Sequence, residues 1–446
     1  MKTPVFAGVS HFTFAASPVF SRWRFCSERK TTIMRNVEIL APAGAFDSLQ
    51  AAINAGADAI YFGVEQLNMR TRSSDGFTVD DIAAVAKLCH ANGVKAYITL
   101  NTVMYDHDMQ LLRTILQQVK EHGIDAVIAA DFAVMQHCQQ MQIPLHISTQ
   151  ANVSNIEAVK FFAPMADVIV LARELTLLQM AAITRDIERF DIRGVSGERL
   201  KIEVFVHGAL CMAVSGKCYM SLHTKNASAN RGACVQTCRR PYKVTDAETG
   251  EELMIDNEYI MSPKDLCTIG VLDQVINAGV DVLKIEGRSK GPEYVYTVTK
   301  CYREAVAAIA SGSYTREKIA AWEAELEKVY NRGFWEGYYL GHALGEWTHQ
   351  PGSIATEKKI FIGRGSKYYG KIKVGEFDIE TGTLSAGDTI LVTGNAHGMY
   401  REQLTTLVVN GQEAGQASKG DKLTLRIDTK VTASDKLYKI VTSADA

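Results

Sequence analysis

From Val37 onward, short apolar runs alternate with longer stretches whose apolar residues recur every three or four positions. This is the pattern of strands and helices built around a parallel sheet. The strand runs are VEIL (37–40), AIYFG (59–63), KAYITLN (95–101), AVIAA (126–130), LHIST (145–149), DVIVLA (167–172), IEVFVH (202–207) and DVLKIEG (281–287). Between them lie amphipathic segments such as DIAAVAKLCHANG, whose Gly93 stands where a helix ends in left-handed backbone. Eight strands over about 250 residues predict an α/β fold, a TIM-type (β/α)8-like barrel with its chemistry at the C-terminal ends of the strands. A doubly wound open sheet is the other arrangement this pattern allows.

The seventh strand run is followed by an irregular insertion, 209–258, without helix-length periodicity, so something other than a large apolar core must hold it. Two helical patterns follow the eighth, EYVYTVTKCYREAVAAIASG and TREKIAAWEAELEKVY. The barrel is expected over 34–312 and a helical, aromatic linker over 313–354. From 355 to 446 the texture becomes short alternating runs separated by Gly, Asn and Asp, which read as a small C-terminal all-β barrel. Its segments GTLSAGDTILV and KGDKLTLRI resemble the β-barrel second domain of translation GTPases. Residues 1–33 stand apart, with five Lys or Arg and the single acid Glu28. Ser10, His11 and Pro18 interrupt the apolar run that a secretory signal needs. The segment is therefore set outside the fold, as an extension or as residues preceding a start at Met34.

Composition narrows the class. Of 446 residues 47% are hydrophobic and 22% charged, which is globular rather than disordered. No run of 18 uncharged apolar residues exists to cross a membrane, and a cytoplasmic protein is expected. A net charge of -2 removes any global attraction to a polyanion and leaves only a local one. Nine cysteines are too dispersed for a disulfide scaffold, yet Cys211, Cys218, Cys234, Cys238 and Cys267 cluster, which points to metal or redox chemistry.

Gaps of six, fifteen and three residues separate Cys211, Cys218, Cys234 and Cys238. Soft thiolates select zinc or iron–sulfur clusters, and neither knuckle has the CxxC spacing of structural zinc sites. Four cysteines on irregular backbone are a usual ligand set for a [4Fe-4S] cluster. Zinc, and reduced structural or disulfide-bonded cysteines, remain alternatives. Residues 204–245 contain no Asp or Glu but carry Lys217, Lys225, Arg231, Arg239, Arg240 and Lys243. These cations are expected to offset an anionic cluster or to meet RNA phosphate or a carboxylate, with a solvated basic loop as the plain alternative.

Polar residues at strand C-termini are the other candidates: Arg70, Asn101, Gln150, Asn152, Arg173, Glu174, His207, Lys284, Glu286 and Arg288. Arg70, Arg173 and Arg288 suit carboxylates or phosphates, which guanidinium groups bind bidentately. Lys284 and Glu286 share a strand face, so a buried ion pair between them is expected, and His207 is placed to serve catalysis or simply to bond a loop carbonyl. No HExxH or GxSxG motif occurs.

The run EVFVHGALCMAVSGKCYMSLHTKNASANRGACVQTCRRPY, with APAG (41–44), NAGADAIYFG (54–63), STQANVSN (148–155) and VLKIEGRSK (282–290), resembles the collagenase-like peptidase family of unknown catalytic type, U32. The likeness spans Val37 to about Tyr339. Several members of that family look like iron–sulfur enzymes that hydroxylate RNA or a quinone precursor without oxygen. The resemblance thus implies Cys211, Cys218, Cys234 and Cys238 as cluster ligands, with Cys267 in reserve. It also implies an RNA substrate, most of all a tRNA wobble uridine, and a hydroxyl donor linked to prephenate, a small dicarboxylate. Iron–sulfur assembly proteins are the implied partners. A collagenase-like peptidase and a non-catalytic RNA-binding protein with a structural cluster are the competing functions.

Overall fold

The computed structural model describes residues 36–64, 67–70, 76–243, 245, 247–250, 259–341 and 346–444. The expected 1–33 extension and Met34 lie outside the described residues, as does the 251–258 end of the insertion. All eight expected strand runs form strands: β1 (Glu38–Pro42), β2 (Ala59–Phe62), β3 (Lys95–Leu100), β4 (Ala126–Ala129), β5 (Leu145–Ile147), β6 (Val168–Val170) and β7 (Lys201–Ala209), then, after β8 (Asp265–Cys267), β9 (Val282–Ile285). Consecutive strands from β1 to β7 pair in parallel, β7 pairs with β9, and β9 returns to β1 through Glu38↔Val282. That closure makes a barrel and excludes the open sheet.

Parallel strands buried on both faces need apolar side chains on both, and here the two parities divide cleanly. Ile60, Phe62, Ile98, Ile202 and Val204 face outward into one core with the helices, whereas Ala59, Tyr61, Tyr97, Ile128 and Val282 fill the interior. The helices are α1 (Phe46–Asn54), α2 (Ile82–Ala91), α3 (Met109–Glu121), α4 (Phe132–Met141), α5 (Ile156–Phe162), α6 (Leu177–Arg189), α7 (Met220–Lys225), α8 (Leu272–Asn277), α9 (Pro292–Ala310) and α10 (Arg316–Lys328). Side-chain caps start several of them: Asp131 accepts from Ala133 N at 2.8 Å and Asn155 from Ala158 N at 2.9 Å. Such a cap contributes about 1 kcal/mol. Gly93, just beyond α2, takes φ +69° as expected.

Two short strands were not legible. β8 runs antiparallel to the end of β7, and β10 (Phe334–Trp335) pairs in parallel with β8, so the sheet flares outward beside the insertion. The segment expected as a linker contributes Trp322, Leu326, Val329 and Tyr339 to the barrel's outer core.

The C-terminal segment is antiparallel throughout. Its strands are β11 (Glu357–Tyr369), β12 (Val374–Ile379), β13 (Thr383–Ser385), β14 (Thr389–Gly394), β15 (Gly398–Gln403), β16 (Leu407–Val409), β17 (Gln412–Ala414), β18 (Gln416–Ser418), β19 (Lys422–Arg426) and β20 (Lys436–Thr442). Eight pair in the order β15-β14-β20-β11-β12-β19-β16-β17, and β13 pairs with β18. They enclose a separate core that includes Phe377, Leu384, Ile390 and Leu437. This unit docks on α1: Asn54 donates to His397 O at 2.9 Å, and a Cβ on Gly398 would stand 2.5 Å from Ala51 N. Among the described residues no helix is long and apolar enough to cross a membrane.

Candidate functional site

The cysteine insertion leaves β7 at the C-terminal mouth of the barrel, and between the two lies a cavity of about 160 Å³. Inward positions of the strands form its floor: Tyr61, Thr99, Phe205, Lys284 and Glu286. Loops following the strands add Arg70, Asn101, Gln150, Arg173 and Arg288, and the insertion adds Cys211, Cys218, Cys234, Cys238 and Arg239. Sequence-distant cysteines and strand-end arginines are thus brought to one place.

Hydrogen bonds tie the insertion over the mouth, and Leu210 packs there against Val170, Phe205, Leu266 and Trp335. Arg239 donates to Leu210 O and Pro263 O, each at 2.6 Å, and to Ser262 Oγ at 3.0 Å. Arg231 forms an ion pair with Asp108 at 2.5 Å, donates to Val103 O at 2.7 Å and lies over the Tyr105 ring. Arg231 and Arg239, expected to offset a cluster or to meet RNA phosphate or a carboxylate, tie the insertion to the rest of the fold, and Arg231 finds in Asp108, just before α3, the carboxylate that 204–245 lacks. Lys217, Lys225, Arg240 and Lys243 are exposed.

All four cysteines are free thiols; Cys211 is exposed and the other three are half-buried. Burial raises the Cys238 thiol above its ordinary value; Arg239 opposes this, and charge on Cys211, Cys234 and Cys218 adds to it. Ser221, buried on α7, lies 3.9 Å from Cys234 Sγ and accepts from Val235 N at 3.1 Å, fixing that loop. Among the described residues no three His, Cys, Asp or Glu side chains converge as a single metal ion requires. Zinc, with bonds of about 2.3 Å, needs that convergence. Four free thiols line one cavity, the donor type that iron–sulfur clusters take.

The cations fall into two groups. Arg70 donates to Glu286 Oε1 through Nη2 at 2.6 Å and Nε at 3.2 Å, Lys284 pairs with Glu203 at 2.6 Å, and Arg332 pairs with Asp265 at 2.6 Å. The expected Lys284–Glu286 pair is therefore replaced, because Glu203 lies beside Lys284 on β7 and Arg70 reaches down to Glu286. Burial would raise the Glu286 carboxyl, but Arg70, Arg173 and Lys290 take it down to about 2. In the second group, among the described residues, Arg173 donates to Ala209 O at 3.0 Å, its buried Nε has no partner, and its guanidinium lies 3.9 Å from the Phe205 ring centroid. Arg288 donates to Thr99 Oγ1 at 2.6 Å and Asn68 Oδ1 at 3.1 Å, and burial lowers it to about 10, so it stays charged at neutral pH. Among the described residues Arg173, Arg239 and Arg288 have neutral hydrogen-bond partners and no carboxylate.

Four further candidates are placed elsewhere. His207 does not line the cavity. A bulge after Phe205 pairs it with outward-facing Ile285, so it lies among Tyr294, Tyr302 and Phe334, with Nδ1 3.5 Å from the Tyr302 hydroxyl. Bulges re-aim side chains in this way. Burial lowers His207 to about 3, leaving a neutral core histidine. Asn152, in left-handed backbone at φ 54°, donates to Gln150 O at 3.1 Å instead of lining the cavity, and Glu174 is exposed. Cys267 is buried on β8 and is not a lining residue.

Tyr61, Thr99 and Arg332 were missed. The first two lie at inward positions of β2 and β3, which strand alternation could have found. Arg332 comes from the aromatic stretch beyond the barrel, where only the β8–β10 flare brings it back.

Over 406 residues the chain is 50% identical to a protein named Collagenase from Porphyromonas gingivalis, covering 91% of this chain and 98% of that one. It is 33% identical over 319 residues to tRNA hydroxylation protein P1 of Bacillus subtilis, covering 70% of this chain and 73% of that protein. Against an Escherichia coli 23S rRNA 5-hydroxycytidine synthase it is 34% identical over 326 residues, 71% of this chain and 47% of that one. The family described as Peptidase family U32 matches residues 44–349, more than half of the sequence, and the chain belongs to that family.

Proposed function

We propose that this protein hydroxylates RNA, using a [4Fe-4S] cluster held by Cys211, Cys218, Cys234 and Cys238 at the barrel mouth. One observation carries the reading: four free thiols share a cavity with three guanidinium groups that, among the described residues, have no carboxylate as a hydrogen-bond partner. A four-thiolate cluster in its oxidised state carries a charge of about -2, which those cations would offset. The cluster supplies electron transfer or substrate activation when bound. The protein's own residues do the rest: Arg173 and Arg288 hold a carboxylate, the Tyr61 and Phe205 rings exclude water, and exposed Lys217, Lys225, Arg240 and Lys243 meet phosphate. Relatives named for tRNA and rRNA hydroxylation favour RNA as substrate. A tRNA wobble uridine with a prephenate-derived hydroxyl donor is the specific form we favour.

Relatives named Collagenase favour a peptidase instead. Against it, the lining residues include no histidine, and their one carboxylate, Glu286, is engaged by Arg70. Protein purified without oxygen should carry about four irons and four sulfides per chain, as this cluster type requires. Colourless protein with no iron, or gelatin cleavage that survives replacement of all four cysteines by serine, would overturn the proposal.

A further inference from the structure

Lys284 is the only amine among the described residues that line the cavity; the other cations are guanidinium groups. An amine differs from a guanidinium in one chemical respect: it is a nucleophile once unprotonated. Burial favours that state, although the neighbouring carboxylate opposes it. The Nζ atom lies 4.5 Å from the Tyr61 ring centroid and 5.5 Å from that of Phe205, and 2.6 Å from Glu203 Oε1, with only 5% of the side chain exposed. Phe205 also underlies the Arg173 guanidinium at 3.9 Å, and Tyr61 underlies Arg288 at 5.6 Å. The amine and the two carboxylate-binding cations therefore share the same two aromatic walls. Glu203 is fully buried, and its second oxygen, Oε2, has no hydrogen-bond partner.

We propose that Lys284 binds a 2-oxo carboxylic acid covalently, as an imine, with Arg173 and Arg288 holding the acid's carboxylate. This rests on the reading above that the cavity admits a carboxylate co-substrate, and it adds a covalent step. The unprotonated Nζ attacks the keto carbon; a C–N bond forms while the carbonyl π pair moves to oxygen. Proton transfer from nitrogen to that oxygen gives the carbinolamine. Glu203, as the neutral acid, then protonates the hydroxyl, which leaves as water, and the products are a protonated imine and the Glu203 carboxylate. Three protons stand on amine and acid at the start and three on imine and water at the end, with no change of oxidation state. Burial supports the starting state from both sides, since it lowers Lys284 and raises Glu203, against the ion pairing between them.

The full-length protein, purified without oxygen, is incubated with pyruvate or prephenate and then with cyanoborohydride, which reduces a protonated imine to a stable amine. Intact mass and peptide mapping should find stoichiometric modification confined to Lys284, abolished in Lys284→Arg. Lys290, which burial lowers to about 8 but which does not line the cavity, is the internal control. Modification of Lys290 or of surface lysines at equal extent overturns the proposal. Equilibrium dialysis of the same acids separates two failures. Binding without an adduct removes the imine alone, whereas no binding also removes the carboxylate pocket. Should Lys284→Arg fail to fold, the wild-type peptide map still decides.

Discussion

Removing Arg70 tests the electrostatics of the cavity floor most sharply. Its guanidinium makes both a 2.6 Å and a 3.2 Å hydrogen bond to one oxygen of Glu286, whose side chain is 8% exposed. Lowering that carboxyl from 4.5 to about 2 corresponds to about 3 kcal/mol net of the burial that opposes it, with Arg70 the largest favourable contribution ahead of Arg173 and Lys290. Arg70→Met leaves the carboxylate buried without its main partner, and a broken buried pair costs about 3 to 5 kcal/mol. Arg70 is 24% exposed and so is partly screened, which places the expected loss near the lower figure. Glu286→Gln should cost less, because Arg70 retains access to water. The double variant should recover about 1 to 3 kcal/mol relative to the sum, as contacting residues do. Urea unfolding at pH 7, followed by tryptophan fluorescence, measures all three. The sign in acid follows from the lowered carboxyl: its contribution is complete above 4.5 and disappears as pH falls toward 2. Single variants costing under about 1 kcal/mol, with a strictly additive double, would refute this account of the floor.

Other outcomes are equally specific. Arg173→Ala should weaken use of the carboxylate donor by about 1.5 to 3 kcal/mol, roughly ten- to a hundred-fold in kcat/KM. His146 and His207 are both lowered from 6.5 to about 3 by burial, so their contribution is present above 6.5 and lost as pH falls toward 3. Stability should drop by about 1.4 kcal/mol per histidine per pH unit in that window, and His207→Gln should remove one histidine's share of the slope. Arg231→Ala should loosen the insertion and lower iron retention without altering the salt dependence of RNA binding. Lys217→Ala with Lys225→Ala should reduce that salt slope and leave iron intact.

The barrel was readable because a closed parallel sheet buries both strand faces, so its eight strands appear as near-continuous apolar runs. β8 and β10 escaped because three and two residues are too few to show a period. Residue types named the site's thiols and guanidinium groups, but pairing needed geometry. Strand parity put Lys284 and Glu286 on one face correctly, yet Glu203 on the neighbouring strand and Arg70 on a loop took them as partners. His207 shows the converse, since alternation is valid only until a bulge interrupts it. For Arg231 and Arg239, an acid-free stretch of chain said nothing about the carboxylate and carbonyls that other segments would offer.

Nucleoside mass spectrometry of tRNA and ribosomal RNA from a deletion strain tests the central claim most directly. The account predicts loss of one nucleoside bearing an additional hydroxyl oxygen, restored by the wild-type gene and not by Cys218→Ser. Identical nucleoside profiles in the deletion and parent strains, under conditions where the protein is expressed, would contradict it.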